Sequence, residues 1–132
     1  MTILGLDIGD RRVGVALVEL PVRIVRPLTT LANNRSFLNE LVKLWHQHHF
    51  GRIVIGWPKH LNGQDSAQSK HVQLLAAAIQ KKMPDVELIF EDERLTSREA
   101  TARLRQTQHE RGDIDAVSAQ IILESWLFRQ NG

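Results

Sequence analysis

The sequence contains no cysteine and no tyrosine, and only 5% of its 132 residues are aromatic. Without thiols it can form neither a disulfide nor a thiolate zinc site. So few aromatic rings argue against a surface that stacks many bases. No run approaches the roughly 20 consecutive apolar residues that cross a bilayer. We therefore expect a soluble protein of the reducing cytoplasm that makes no contact with a membrane.

The length and the apolar content bound the size of the core. A chain of 132 residues that is 42% apolar is sufficient for one shared core, so we expect a single domain over residues 1–132. The formal net charge of +2 permits a polyanionic partner without requiring one. Arginines are concentrated at residues 11–12 and 94–111. A single arginine there would be an ordinary solvated side chain, and only the clustering suggests binding.

Apolar periodicity predicts the order of secondary structure. Two β-rich runs joined by a polar turn predict a hairpin, and short apolar runs and helical stripes follow it. The predicted strands are 3–6, 13–18, 22–28, 53–55 and 86–90. The predicted helices are 34–48, a second that Asp65 or Ser66 caps and Pro84 ends, 96–105, and 113–128. This order predicts an α/β fold with a five-stranded mixed sheet and helices on both faces.

Two acids stand at the ends of apolar elements. Asp7 ends a strand of the buried type, where a carboxylate is costly unless it is paired or binds a metal, although alone it could bond its own backbone in a turn. Asp115 heads a helical stripe formed with Ala119, Ile122 and Trp126, which predicts that it lies at the rim of the sheet. A first-turn acid is also favoured by the helix dipole, which requires no such position.

A third acidic group, residues 91–93, follows the last strand. Three consecutive carboxylates repel one another unless cations compensate them, and Arg94 supplies only one charge. Converging carboxylates in a chain without cysteine favour Mg²⁺ or Mn²⁺. His46 and His48 lie on the predicted helix and His49 directly follows it, with no adjoining acid, so we do not expect these histidines to bind metal.

Four motifs occur in order along nearly the whole chain. Residues 7–16 read DIGDRRVGVA, residues 56–58 read GWP, residues 92–97 read DERLTS, and residues 115–125 read DAVSAQIILES. Each motif alone would be weak. Together they resemble the motifs of the YqgF/RuvX family.

This resemblance implies a ribonuclease H-like fold, related to the Holliday-junction resolvases, and a nuclease that trims the 5′ end of the small-subunit ribosomal RNA precursor. It also implies that Asp7, Glu93 and Asp115 are the catalytic acids that bind Mg²⁺ or Mn²⁺. The related resolvases carry an acid at the end of the fourth strand, where this chain has Gly56. Glu93, one strand later, would then have to replace that acid.

The expected partner is a structured nucleic acid, either a ribosomal RNA precursor or branched DNA. The cations expected to contact its phosphates, which position a strand without reading its bases, are Arg11, Arg12, Lys59 and Arg94. One alternative is a DNA endonuclease that resolves Holliday junctions, and another is a non-catalytic RNA-binding factor. A sugar-kinase or actin-like ATPase would need a second domain to form its cleft.

The most detailed of these predictions concerns which acid within residues 91–93 binds the metal. Strand alternation puts positions 88, 90 and 92 on one face and positions 89, 91 and 93 on the other. An unbroken pleat would direct Asp92 toward the core with the more apolar series. Because Thr96 begins a helix with a capping-box pattern, the chain has to turn before it. We expect Glu93 to bind metal, Asp92 to hold the turn, and Arg94 to neutralise the pair.

Overall fold

Five strands and three helices make up the part of the chain that the computed structural model describes, residues 1–58, 67–92 and 114–130. In chain order they are β1 (Thr2–Ile8), β2 (Arg12–Glu19), β3 (Arg26–Ala32), α1 (Phe37–His48), β4 (Arg52–Trp57), α2 (Ala67–Lys82), β5 (Glu87–Asp92) and α3 (Ile114–Gln130). The helix predicted at 96–105 and the predicted caps of the second helix lie outside the described residues. No helix in the described ranges has the length and apolar character needed to span a membrane.

The strands form one mixed sheet in the order β3-β2-β1-β4-β5. Strand β2 is antiparallel to both β1 and β3, as the hairpin prediction required. Strand β4 runs parallel to β1, and β5 runs parallel to β4. The predicted five-stranded mixed sheet is confirmed. Because β1, β4 and β5 are parallel, their carboxyl ends lie at the same edge, and the central strand β1 brings Asp7 to that edge.

Each face of the sheet is covered by its own hydrophobic core. Alternating side chains of β1 enter the two cores. Leu4 and Leu6 pack beneath α1 and α2. Ile3 packs beneath α3. Asp7 belongs to the same alternating series as Ile3 and Gly5, so it stands on the α3 face.

Helix α3 crosses the sheet at close range. A Cβ atom on Gly5 would come within 3.0 Å of both the Ala119 carbonyl oxygen and the Leu123 Cβ, so the glycine permits this approach. The stripe predicted for this helix is confirmed, since Ala119, Ile122 and Trp126 are all buried against the sheet. The face that begins with Asp115 is therefore the face that packs.

The prediction for the third strand is wrong at its start. Strand β3 begins at Arg26, where pairing with β2 starts, and not at residue 22. Val22 and Ile24 are 60% and 76% exposed, and the Arg23 guanidinium donates to the Leu127 carbonyl oxygen at 3.0 Å. The β-branched residues at 22–25 therefore form a loop attached to the end of α3.

The first helix also begins later than predicted, at Phe37. The Oδ1 atom of Asn34 accepts hydrogen bonds from the Ser36 backbone N–H at 2.9 Å and from the Ser36 hydroxyl at 2.7 Å. This local bonding holds residues 34–36 in a turn, which is the usual competition between Asn side chains and the helical backbone. The predicted end of the helix at His48 is confirmed.

Candidate active site

Asp7 lies near the carboxyl end of the central strand and is half-buried. Its neighbour across the antiparallel pair with β2 is Gly14. Directly opposed residues in such a pair have Cα atoms about 4.5–5.5 Å apart and share one face of the sheet. Asp7 and Gly14 thus stand side by side beneath the start of α3.

The first turn of α3 rests on Gly14. A Cβ atom at this position would overlap the carbonyl group of Asp115 and press against the backbone nitrogen of Ala116. Only a residue without a side chain lets the helix come so close to the sheet. Gly14 therefore brings the backbone of Asp115 next to Asp7, which confirms that Asp115 lies at the rim of the sheet.

Arg12 is the counter-ion of Asp115. The Nε atom of Arg12 donates to Oδ2 of Asp115 at 2.8 Å, and the two side chains are 64% and 34% exposed. An ion pair so accessible to water contributes only about 0–1 kcal/mol and is readily exchanged for another cation. Arg12, predicted to contact phosphate, is thus in position to do so once Asp115 has a different partner.

Arg11 is the neighbouring cation of the same turn. It is exposed and makes no ion pair with any residue in the described ranges. Its backbone carbonyl accepts the N–H of Asn33 at 2.8 Å, which fixes the turn rather than the guanidinium. Its contact with phosphate stays a prediction.

Glu91 has a partner that the sequence reasoning missed. Its side chain is almost fully buried on the α3 face, where it forms an ion pair with Arg129 and accepts a hydrogen bond from the Ser125 hydroxyl at 3.0 Å. The charge of this strand-end acid is therefore compensated by α3. A signal was present, because Ser125 and Arg129 are four residues apart and occupy one side of a helix.

Asp92 lies on the face away from α3. It pairs in register with Trp57, which packs together with Leu88 against the core beneath α1 and α2. The odd series of β5, Ile89 and Glu91, faces α3 instead. The sheet has a hydrophobic core on each face, so a side chain that points toward a core can lie on either face. Asp7 and Asp115 lie on the α3 face. Strand parity therefore favours the odd series, which is the series that the family resemblance also selects.

Three predicted site residues, Lys59, Glu93 and Arg94, lie outside the described residues. Within residues 1–58, 67–92 and 114–130 no three acidic or histidine side chains converge well enough to hold a metal. Asp7 and Asp115 supply two carboxylates on one side of the sheet edge, and carboxylate oxygens are the donors that Mg²⁺ and Mn²⁺ prefer. The donors present fit such an ion, and a third would have to come from outside the described ranges.

Comparison with known proteins bears on both the fold and the family. The family model described as "RuvX: Holliday junction resolvase" matches residues 1–129. A relative from Sulfurihydrogenibium sp., named as a pre-16S rRNA nuclease, is 35% identical over 96% of this chain and 90% of its own length.

Two solved structures show the same fold. The RuvC of Thermus thermophilus in complex with a Holliday junction substrate superposes with a TM-score of 0.69 at 10% identity, over 99% of this chain and 95% of that chain. The fowlpox virus Holliday junction resolvase superposes with a TM-score of 0.61 at 10% identity, over 98% of this chain and 99% of that chain. The fold is ribonuclease H-like, and with the family match over almost its full length this chain belongs to the RuvX (YqgF) family.

Proposed function

We propose that this chain is a metal-dependent nuclease that hydrolyses phosphodiester bonds of structured nucleic acid, and that its substrate is the 5′ end of the pre-16S ribosomal RNA. The structural observation that carries the proposal is the position of Asp115 on Gly14, beside Asp7, at the carboxyl edge of the central strands. Membership of the RuvX family and the name of the relatives support the same reaction. Such a substrate would be met in the cytoplasm, as the absence of cysteine also suggested.

The residues of the site have different roles in hydrolysis. Asp7, Asp115 and Glu93 would hold Mg²⁺ or Mn²⁺. Asp7 is held in place by its pairing with Gly14, in a strand that β2 and β4 flank. A bound divalent ion supplies charge neutralisation on the phosphate and an activated water. Arg12 stands beside Asp115 and would bind a phosphate oxygen of the strand being cut.

Glu93 is our choice for the third acid. The odd series of β5 faces α3, whereas Asp92 shares the opposite face with Trp57. We expect Glu93→Gln to lose metal-dependent cleavage with little change in melting temperature, since it keeps the shape of the side chain and removes only the charge that would bind the ion. Asp92→Asn should lose stability and keep part of the activity. The reverse pattern would transfer the ligand role to Asp92.

A second candidate activity is the resolution of Holliday junctions. The family description favours it. The same acids would serve both reactions, because the chemistry at the phosphate is identical and only the shape of the nucleic acid differs. A non-catalytic RNA-binding factor with this fold would bind without cutting.

One assay distinguishes these three functions. The purified protein is incubated with a pre-16S RNA fragment that keeps its 5′ extension, a four-way DNA junction and single strands, each with Mg²⁺, Mn²⁺ or EDTA. We expect the RNA to be shortened at its 5′ end in either metal and to stay intact in EDTA. Cleavage of the junction alone would assign the resolvase activity, and binding without cleavage of any substrate would reject the nuclease proposal.

A further inference from the structure

The turn between β1 and β2 is held by hydrogen bonds from Asn33, on the side of the sheet away from α3. The backbone N–H of Asn33 donates to the Arg11 carbonyl oxygen at 2.8 Å, and the Asn33 side-chain amide donates to the Gly9 carbonyl oxygen at 2.7 Å. The chain that leaves β3 is therefore bonded to the turn that follows Asp7.

Helix α2 completes this arrangement with its first turns. The Gln68 side-chain amide donates to the Ile8 carbonyl oxygen at 3.0 Å, and Nε2 of His71 lies 3.2 Å from the side-chain nitrogen of Asn33. Hydrogen bonds and close contacts thus link three stretches of chain at the carboxyl edge of the sheet. We refer to residues 9–11, 33–35 and 68–71 as the Asn33 corner.

The charge of the Asn33 corner is unbalanced. Arg11, Arg35 and Lys70 are all exposed, and none of them forms an ion pair with a residue that the structure describes. The one carboxylate within the corner is Asp10, so three cations face one anion. The exposed cations Arg12 and Lys43, by contrast, are already compensated, Arg12 by Asp115 and Lys43 by Glu40.

We infer that the Asn33 corner binds the phosphodiester backbone of the substrate, on the side of the scissile phosphate that lies away from α3. This inference rests on the proposed nuclease function. Arg11 is followed directly by Arg12, the first residue of β2, whose guanidinium is on the α3 side with Asp115. A nucleic acid strand placed across the turn between β1 and β2 would contact Arg12 on one side and the corner on the other.

The Asn33 corner binds the phosphodiester backbone of the nucleic acid and not its bases. The corner carries no Phe, Trp or Tyr on which a base could stack. Cations on exposed side chains bind phosphates at any sequence. The side-chain amide of Asn33 is already used within the fold, so the corner holds its cations in place without reading a base edge.

The contribution of the corner should appear in the salt dependence of binding. Each phosphate contact releases condensed counterions, and loss of one contact lowers the slope of log K against log salt by about 1. Arg35→Ala/Lys70→Ala should therefore weaken binding and lower this slope by about 2. Because these residues contact phosphates beyond the one being cut, KM should rise more than kcat falls.

The matched control is Lys81→Ala/Lys82→Ala. It makes the same change in net charge at the opposite end of α2, on residues that are equally exposed. Binding is measured by fluorescence anisotropy in Ca²⁺, from about 50 to 200 mM salt, with the pre-16S fragment and with a four-way DNA junction. The conservative double variant Arg35→Lys/Lys70→Arg should retain the wild-type slope.

The inference is supported if the slope of log K against log salt is lower in the corner variant than in the wild type on either probe, and the control shows no comparable change. The probe on which the slope falls identifies the nucleic acid. Equal slopes in the wild type, the corner variant and the control would overturn it while leaving the nuclease proposal standing. An equal fall in slope in the corner variant and in Lys81→Ala/Lys82→Ala would also overturn it, because the change in net charge would then be sufficient to explain the weaker binding. A wild type that cuts neither probe in Mg²⁺ would instead contradict the proposed function.

Discussion

The backbone of Asp115 lies directly on Gly14, inside the space that a Cβ atom at position 14 would occupy. Gly14 is the cross-strand neighbour of Asp7. This single close approach joins the two acids, which come from opposite ends of the chain. It makes the position of helix α3 relative to the sheet a determinant of the site.

Gly14→Ala should therefore damage both the fold and the site. The added methyl group meets backbone atoms of Asp115 and Ala116, so α3 has to move away from β2. We expect a loss of about 1–3 kcal/mol in the free energy of unfolding, the usual cost of overpacking. A displacement of about 1 Å at a catalytic group can cost about 100-fold in rate, so kcat/KM should fall to that extent.

Gly51→Ala is the control for this substitution. The nearest atom to a Cβ at position 51 is the Cε of Met1 at 3.4 Å, an ordinary contact with a flexible side chain. Urea denaturation should detect a change of at most about 0.5 kcal/mol in this variant. If Gly14→Ala is as mild as Gly51→Ala, the close packing of α3 on β2 does not control the site.

Arg12→Met tests the exchange between an arginine and a metal at Asp115. Without the guanidinium, Asp115 loses the cation that competes with a metal, so Mn²⁺ should bind more tightly in the absence of nucleic acid, as measured by calorimetric titration. Binding of the RNA fragment should weaken, because a phosphate contact is lost. Stability should change by less than about 1 kcal/mol, since the pair is exposed.

Arg52→Met provides the comparison for Arg12→Met. Arg52 forms an ion pair of 2.6 Å with Glu87 at the start of β4 and β5, the edge of the sheet opposite to Asp7. Its loss should leave both Mn²⁺ affinity and RNA binding unchanged. The same Mn²⁺ affinity in Arg12→Met as in the wild type would show that Arg12 does not compete with metal at Asp115.

Arg129→Met should destabilise the fold through Glu91. Breaking a buried ion pair from one side leaves a buried charge without compensation and costs about 3–5 kcal/mol. Because Arg129 is itself 37% exposed, we expect the lower end, about 3 kcal/mol, seen as a melting temperature lower by roughly 10 °C. Glu91→Gln/Arg129→Met should recover part of this loss, since an amide can still accept the Ser125 hydrogen bond.

Lys43→Met removes a cation from an exposed pair with Glu40 on α1 and should cost no more than about 0.5 kcal/mol. It controls for the loss of a lysine or arginine as such. Arg129→Met with a melting temperature equal to that of Lys43→Met would show that Glu91 does not depend on Arg129.

The sequence predicts the elements that local patterns determine. The hairpin around Asp7 follows from two apolar runs and a polar turn, and the packing face of α3 follows from the spacing of Ala119, Ile122 and Trp126. The predicted start of β3 was wrong because β-branched residues at 22–25 favour a strand locally, whereas pairing with β2 begins only at Arg26 and Arg23 bonds the end of α3 instead. Tertiary contacts of this kind leave no periodic signal.

The candidate site could likewise be predicted only where a local pattern marks its residues. Asp7 ends an apolar strand and Asp115 begins an apolar helical stripe, so both could be identified as candidates, and the resemblance implies the same two acids. The role of Gly14 could not be predicted, because a glycine within a strand shows that space is needed but not which backbone fills it. The pairing of Glu91 with Arg129 depends on where α3 crosses β5, which no local pattern determines.

The rate at which Asp7→Asn cleaves the pre-16S fragment in Mg²⁺ tests the central claim most directly. Asn has nearly the same shape as Asp and removes only the charge, so we expect the fold to stay intact or gain slightly in stability, because one of the like charges expected at the site is removed when no metal is bound. Asp85→Asn, an exposed acid before β5, is the control that should cleave like the wild type. We expect no cleavage by Asp7→Asn, with an unchanged circular dichroism spectrum. Full activity in that variant would contradict the central claim.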